Sequence, residues 1–314
     1  MSEERIQLQV PIEMAGSRLD QVLSKLLPDY SRSRIQQWIK DGRVLVDGGA
    51  KRPRDKVMGG ESVVIDTMFE EQVECLPQAI DLQVVYQDNS LLVIDKPAGL
   101  VVHPAVGNPD GTLQNALLHF DSELIMLPRA GIVHRLDKET SGLLVIARTP
   151  VAHKYLVEQL QAREIHREYR AVVQGVMTAG GTVDAPIGRH PNQRTRMAVV
   201  ANGKEAVTHY RVLERFNNHS YLKVKLETGR THQIRVHMAH IHYPLVGDPV
   251  YGGRLKLPKG ASAELNESLR GFRRQALHAQ RLGLQHPLTG EWMEWESPLP
   301  EDMRQLLDAL QAVD

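Results

Sequence analysis

Within GIVHRLDKETSGLLVIA, Asp137 occupies a short polar connection between two apolar runs, flanked by His134, Arg135 and Lys138, with Gly142 just beyond. Opposite charges this close favour the ionised carboxylate, and a carboxylate held in that form can serve as a nucleophile. A simple turn aspartate is the plainer reading of the same spacing. A second block, LETGRTHQIRVHMAH, leaves a strand through Gly229 and enters a helix with Arg230, His232, Arg235 and His237 close together. A glycine followed by cations at a helix start can hold an anion on unpaired backbone amides. Solvent-exposed basic residues are the alternative there. His232, His237, His240 and His242 invite a metal reading, but among them only His237 and His240 share helical spacing, and no HExxH or comparable carboxylate accompanies them. No metal is expected.

Other chemistries lose support from what the chain lacks. There is no GxxxxGK[ST] phosphate loop, no GxSxG elbow and no GxGxxG dinucleotide turn. Nucleotide-driven, serine-hydrolase and NAD-dependent reactions are therefore disfavoured.

The elements that must carry these residues belong to a globular chain of 314 residues, 42% hydrophobic and 24% charged, a balance that excludes fibrous and disordered classes. No apolar run approaches the roughly 18 to 20 residues of a membrane-spanning helix. The start, MSEERIQLQV, lacks the basic and apolar segments of a secretory signal, and the single cysteine, Cys75, excludes an internal disulfide. A cytosolic protein is expected. Net charge is zero, yet its distribution is uneven: residues 17–56 carry a net +5, residues 161–236 a net +7, and residues 57–160 a net −8. Two basic blocks suggest two contact surfaces for a phosphate backbone, against the alternative of two ordinary solvated faces balanced on folding.

Apolar residues at three-and-four spacing, Leu19, Val22, Leu23, Leu26 and Leu27, then Ile35, Trp38 and Ile39, predict two short amphipathic helices, the second with Ser31 as N-cap. RVLVDGG and ESVVID follow as short strands around KRPRDK, completing a compact α+β module. Residues 1–16 read as an N-terminal extension, 17–66 as the module, the acidic and aperiodic 67–79 as a linker, and 80–314 as a second domain. There, VVYQDNSLLVIDKP, SGLLVIART, EYRAVVQGVM, EAVTHYRVLERF and SYLKVKLETG are strand candidates. PVAHKYLVEQLQARE and THQIRVHMAHI are helix candidates, and residues 302–313 a closing helix. Strands outnumber helices and do not alternate strictly with them, which predicts α+β with a mixed or antiparallel sheet.

HRLDKETSGLLVIAR, REYRAVVQG and LETGRTHQIRVHMAHIHYPLVGDPVYGG, with DKPAGLVVHP and RHPNQRTRMAV, resemble the motifs of RluA-type pseudouridine synthases. SRLDQVLSKLLPDYSRSRIQQWIKDGRVLVDG resembles an S4 RNA-binding domain. The match spans nearly the whole chain and its motifs are ordered. It implies an S4 module followed by a catalytic domain with a mixed, largely antiparallel sheet and a central active-site cleft. It also implies isomerisation of uridine to pseudouridine in large-subunit (23S) ribosomal RNA, with the helix 69 stem-loop the favoured target, and no metal or cofactor.

The same resemblance implies roles. Asp137 matches the family's essential aspartate, Arg135 the arginine associated with flipping the base, Tyr169 the tyrosine lying against the uracil, and Arg230 the basic residue paired with the aspartate. None of these four positions departs from the pattern. Arg32, Arg34, Lys51, Arg52 and Arg54 of the S4 module are expected to grip phosphates, helping to offset the few kcal/mol that unstacking a flipped nucleotide costs. Two rivals are a non-catalytic RNA-binding ribosome-assembly factor and a metal-dependent hydrolase using the clustered histidines.

Overall fold

A computed structural model of the protein describes residues 4–27, 30, 32–67, 75–105, 107–193, 195–258 and 260–312. The chain divides into two compact units, Met1–Glu74 and Cys75–Asp314. Among the described residues no helix is long and apolar enough to cross a membrane.

The first unit contains β1 (Glu4–Gln9), α1 (Leu19–Leu26), α2 (Arg32–Lys40), β2 (Val44–Val46), β3 (Gly49–Ala50) and β4 (Ser62–Thr67). Its sheet runs β1-β4-β2-β3. The amphipathic pattern buries Leu19, Val22, Leu23, Ile35, Trp38 and Ile39 against Val44, Val46, Val63 and Ile65. Residues 4–9, expected as an extension outside the module, instead pair antiparallel along the whole of β4. The alternation of Ile6, Leu8 and Val10 with polar residues explains this, since one face of the strand covers the small core. Ser31, the expected N-cap, and residues 68–74 of the expected linker lie outside the described residues.

The second unit runs β5 (Val84–Gln87), β6 (Leu91–Lys96), α3 (Leu113–Phe120), β7 (Ser141–Ala147), α4 (Pro150–Ala162), β8 (His166–Gln174), β9 (Gly181–Asp184), β10 (Ile187–Arg189), β11 (Met197–Val199), β12 (Val207–Phe216), β13 (His219–Leu226), α5 (Gln233–His240), α6 (Ala263–Gly271), β14 (Leu277–Gln285), β15 (Trp292–Glu296) and α7 (Glu301–Gln311). Among the described residues these form a nine-stranded sheet in the order β5-β6-β7-β14-β8-β13-β12-β9, with β15 also on β14, and β10 and β11 form a separate ribbon. β7 and β14 run parallel; the other pairings are antiparallel. The expected mixed, largely antiparallel sheet is what forms.

Local chemistry sets the ends of the elements that frame the site. Thr112 and Asn115 make a reciprocal capping box on α3, and Thr149 with Pro150 starts α4. Every residue of β7 is buried, as befits a strand covered on both faces. Gly142, second in β7, has φ +115°, and a Cβ there would stand 2.3 Å from the Ala279 carbonyl of β14. Only glycine permits so close an approach, so the parallel pairing that seats the Asp137 loop depends on it.

Candidate active site

Asp137 lies in the coil four residues before β7, and its loop is held at several points. The Asp137 carbonyl accepts the Thr140 amide at 3.0 Å. The Lys138 carbonyl accepts both the Gly99 amide and Nζ of Lys96, and that ammonium also donates to Pro97 and Leu100 carbonyls. Lys96 is fully buried, and burial pulls its ammonium down to about 8 despite Glu139 and Asp137 nearby. Further along, Arg274 Nη1 donates to the Glu139 carbonyl and Gln275 to Thr140 Oγ1. A carboxylate on a loop fastened this way has little freedom to swing.

The carboxylate faces a cleft of about 590 Å³ lined by His134, Arg135, Tyr169, Arg167, Arg230, His232 and Arg235, among others. Its Oδ2 accepts a hydrogen bond from Arg235 Nη1 at 2.9 Å. The same guanidinium gives Nε and Nη2 to Asp248 at 2.7 and 2.9 Å. Asp248 is buried and also accepts the amides of Val250 and Tyr251. Burial works against its charge, but the Arg235 hydrogen bonds and charge outweigh it and keep the carboxyl below the usual range. Reciprocally, Asp248 and Asp137 raise the Arg235 guanidinium against the effect of burial. The Tyr251 ring lies 5.0 Å from the guanidinium carbon, adding a cation–π contact.

The expected partner, Arg230, is thereby corrected. Arg230 lines the same cleft, but its Nε donates to the Glu205 carbonyl at 2.8 Å. It precedes α5 in the turn, whereas Arg235 lies inside the helix on the side that meets both Asp137 and Asp248. The amide of Arg230, offered in the sequence as an anion donor, is taken by Oε1 of Gln233, whose amide nitrogen bonds the Val207 carbonyl and Thr208.

His232 closes the other side. It caps α5 with φ +57°, a strained conformation for a residue with a side chain. The Tyr251 hydroxyl accepts the Met197 amide and shares a hydrogen bond with His232 Nδ1 at 2.8 Å. Its Nε2 faces Asp137 Oδ1 at 3.9 Å. Burial holds this ring below its ordinary range even though Asp137 pulls it up. Of the other clustered histidines, His237 is buried and bonded to Thr208 and the Ala185 carbonyl, while His240 and His242 are exposed. Among the described residues no group of three or more His, Cys, Asp or Glu is placed to hold a metal.

Tyr169 stands on β8, opposite Ala279 of β14 and Val224 of β13, with its ring in the main core and 6% of its surface exposed in the cleft. Burial and the Asp137 charge raise its hydroxyl, partly opposed by Arg167. It is a phenol throughout the physiological range, suited to giving a flat face and a hydrogen bond rather than to acting as a base. Arg135 is exposed at the cleft rim. His134 accepts the Val145 amide on Nε2, and burial followed by the nearby Arg167 charge pushes its ring down to about 3.

In the first unit, Lys51, Arg52 and Arg54 are exposed on the loop before β4. Arg32 differs from expectation: it is ion-paired with the buried Asp20 at 2.8 Å, alongside Arg18 and Gln36. Burial opposes the Asp20 charge, but hydrogen bonds from Arg32, Gln36 and Arg18 bring its carboxyl down to about 2. Arg32 therefore spends part of its charge holding α1 to α2. The side chain of Arg34 lies outside the described residues.

Comparison with known proteins gives this arrangement a context. Residues 90–240 match the family described as RNA pseudouridylate synthase, and residues 17–63 match the S4 domain. The chain is 61% identical to a Pseudomonas aeruginosa protein named Ribosomal large subunit pseudouridine synthase D, covering 96% of this chain and 94% of that one. It is 57% identical to a protein of the same name from Escherichia coli K12, over 98% and 96% of the two chains. Among solved structures, Human RNA Pseudouridylate Synthase Domain Containing 4 aligns with a TM-score of 0.57 at 27% identity, covering 73% of this chain and 93% of that one. With near-full-length identity of this order, and with the expected fold in place, the chain belongs to the RNA pseudouridylate synthase family and carries an N-terminal S4 domain.

Proposed function

We propose that this RNA pseudouridine synthase converts uridines of large-subunit ribosomal RNA, with the helix 69 stem-loop as target, and that Asp137 is its catalytic residue. The observation that carries the reading is the ionic seat of Asp137: a carboxylate on a fastened loop, bonded to Arg235 at 2.9 Å, at the wall of a nucleotide-sized cleft. The names of the relatives that this chain matches over almost all of its length support the choice of RNA.

The reaction is an isomerisation that needs no group donor. The bond from ribose C1′ to N1 breaks and its electron pair leaves with uracil. C1′ is then either captured by an Asp137 oxygen, which leaves again as C5 attacks, or relieved as a glycal by loss of the C2′ proton, which returns as C5 adds, much as carboxylates meet an oxocarbenium-like centre in glycosidases. The ring turns, C5 bonds to C1′, the C5 proton departs and N1 regains one. Arg235 pairs with Asp137 and aims it. Tyr169 offers the face on which the detached ring is retained, and Arg135, at the rim, helps hold open the stack from which the nucleotide is extruded. Arg230 contributes charge to the cleft wall. Lys51, Arg52 and Arg54, with Arg34 and the exposed part of Arg32, hold phosphates at a distance and supply binding free energy without reading bases.

The test is direct. Purified protein is incubated with large-subunit ribosomal RNA that lacks pseudouridine, and the modified positions are mapped. Pseudouridines confined to helix 69 are expected; conversion elsewhere only would refute the target, and no conversion would refute the proposed substrate.

A further inference from the structure

β8 alternates its side chains between two environments. Glu168 and Arg170 bond each other on one face, with Lys223 and Lys225 near the same carboxylate. Arg167 and Tyr169 belong to the other face and both line the cleft. Three arginines of that wall are already engaged, Arg235 with two aspartates, Arg230 with the Glu205 carbonyl and Arg163 with Glu205 and Glu227, while Arg129 and Arg135 are exposed. Arg167 is not engaged in this way. Its Nε is buried without a hydrogen-bond partner, and among the described residues no carboxylate pairs with it.

Arg167 is half-buried, and a shielded guanidinium nitrogen left without a partner costs free energy that a fold would normally remove by pairing it. Gly229 leaves room beside it, since a Cβ there would stand 2.8 Å from Arg167 Nη1, the movable end of the side chain. The glycine of the TGRTHQ turn thus makes room for the cation rather than relieving a backbone strain, since no positive φ is recorded there. The charge is felt throughout the pocket: it helps keep His134 neutral and draws the Tyr169 hydroxyl downward against burial.

We propose that Arg167 binds the uracil anion that exists between cleavage of the C1′–N1 bond and formation of the C1′–C5 bond. This rests on the reading of the Asp137 cleft given above. When C1′–N1 breaks, the electron pair stays on N1 and spreads over the C2 and C4 carbonyl oxygens. A planar guanidinium with free donors complements that planar, delocalised anion. The charge is consumed when C5 attacks C1′, and the C5 proton is lost as N1 is reprotonated, so Arg167 neither gains nor loses a proton. Because the neutral uridine carries little of this charge, the interaction strengthens during reaction and acts on rate more than on affinity.

The experiment uses the full-length protein and a stem-loop RNA that the wild type converts, measuring the single-turnover rate, the Kd and its salt dependence. Arg167→Gln is expected to lower the rate by about 10² to 10³-fold with Kd and salt dependence close to wild type. Arg167→Ala should regain part of that rate on addition of guanidinium ion, which a purely structural loss would not show. A wild-type rate in Arg167→Gln overturns the proposal. So does a weakened Kd with reduced salt dependence and an unchanged rate, which would make Arg167 a backbone-phosphate contact. Should Arg167→Gln not fold, Arg167→Lys, which keeps the charge but not the planar fork, decides: a slow rate at unchanged Kd supports the assignment and a normal rate overturns it. Failure of the wild type to convert the RNA would instead count against the substrate reading itself.

Discussion

Arg235 Nη1 stands 2.9 Å from Asp137 Oδ2 while the rest of the same guanidinium is locked to Asp248, so one buried cation serves the cleft carboxylate and a purely internal one. Arg235→Gln would leave Asp248 buried and unpaired. A loss of roughly 3 to 5 kcal/mol in unfolding free energy is expected, together with loss of turnover. Thermal or denaturant unfolding beside a turnover assay checks this, and a variant as stable and active as wild type would refute it.

Arg230 makes a useful contrast, since it shares the cleft but bonds a backbone carbonyl. Arg230→Gln should change stability by no more than about 1 kcal/mol and leave a higher single-turnover rate than Arg235→Gln. Equal damage from both substitutions would show that the pairing seen at Arg235 does not order their importance.

Much of the site was legible because motif and spacing agree. Asp137 reads as a carboxylate among cations, and Tyr169 and Arg135 come through the motif resemblance; all three line the cleft. The choice between Arg230 and Arg235 was not legible, because both belong to one short block and only the helix start, with its αL His232 cap, decides which faces Asp137. Asp248 could not be foreseen, since its role depends on a contact 13 residues distant closed by tertiary packing. Arg167 had a visible signal in the two-residue spacing from Tyr169 on a strand. The fold class was readable from strand patterning. The pairing of β1 with β4 had its signal in the alternation of Ile6, Leu8 and Val10, passed over because the segment precedes the module's motif.

Acid should destabilise the second unit early. His134 and His219 are held down to about 3 and about 4 in the folded chain, both chiefly by burial, against about 6.5 when unfolded. Between those values the unfolded chain binds more protons, so stability is complete above about pH 6.5 and falls as pH drops below it, by up to about 1.4 kcal/mol per pH unit for each histidine. Unfolding measured from pH 7.5 to 5 should show this decline, with a shallower slope in His134→Gln. Stability that is flat or rises toward pH 5 would contradict the burial of these rings.

The exposed cations Lys51, Arg52 and Arg54 should act on affinity alone. Replacing all three by glutamine is expected to weaken RNA binding and to flatten the plot of log affinity against log salt by about 2 to 3 units. The single-turnover rate at saturating RNA should not change. An unaltered salt slope would remove this loop from the RNA contact.

The most direct measurement is pseudouridine formation by Asp137→Asn compared with wild type on the same RNA, at protein concentrations that saturate binding. The substitution keeps the size of the side chain and removes the charge that Arg235 holds. Retained RNA binding with no detectable pseudouridine is the expected result. Conversion at the wild-type rate would contradict the assignment of Asp137 as the catalytic residue.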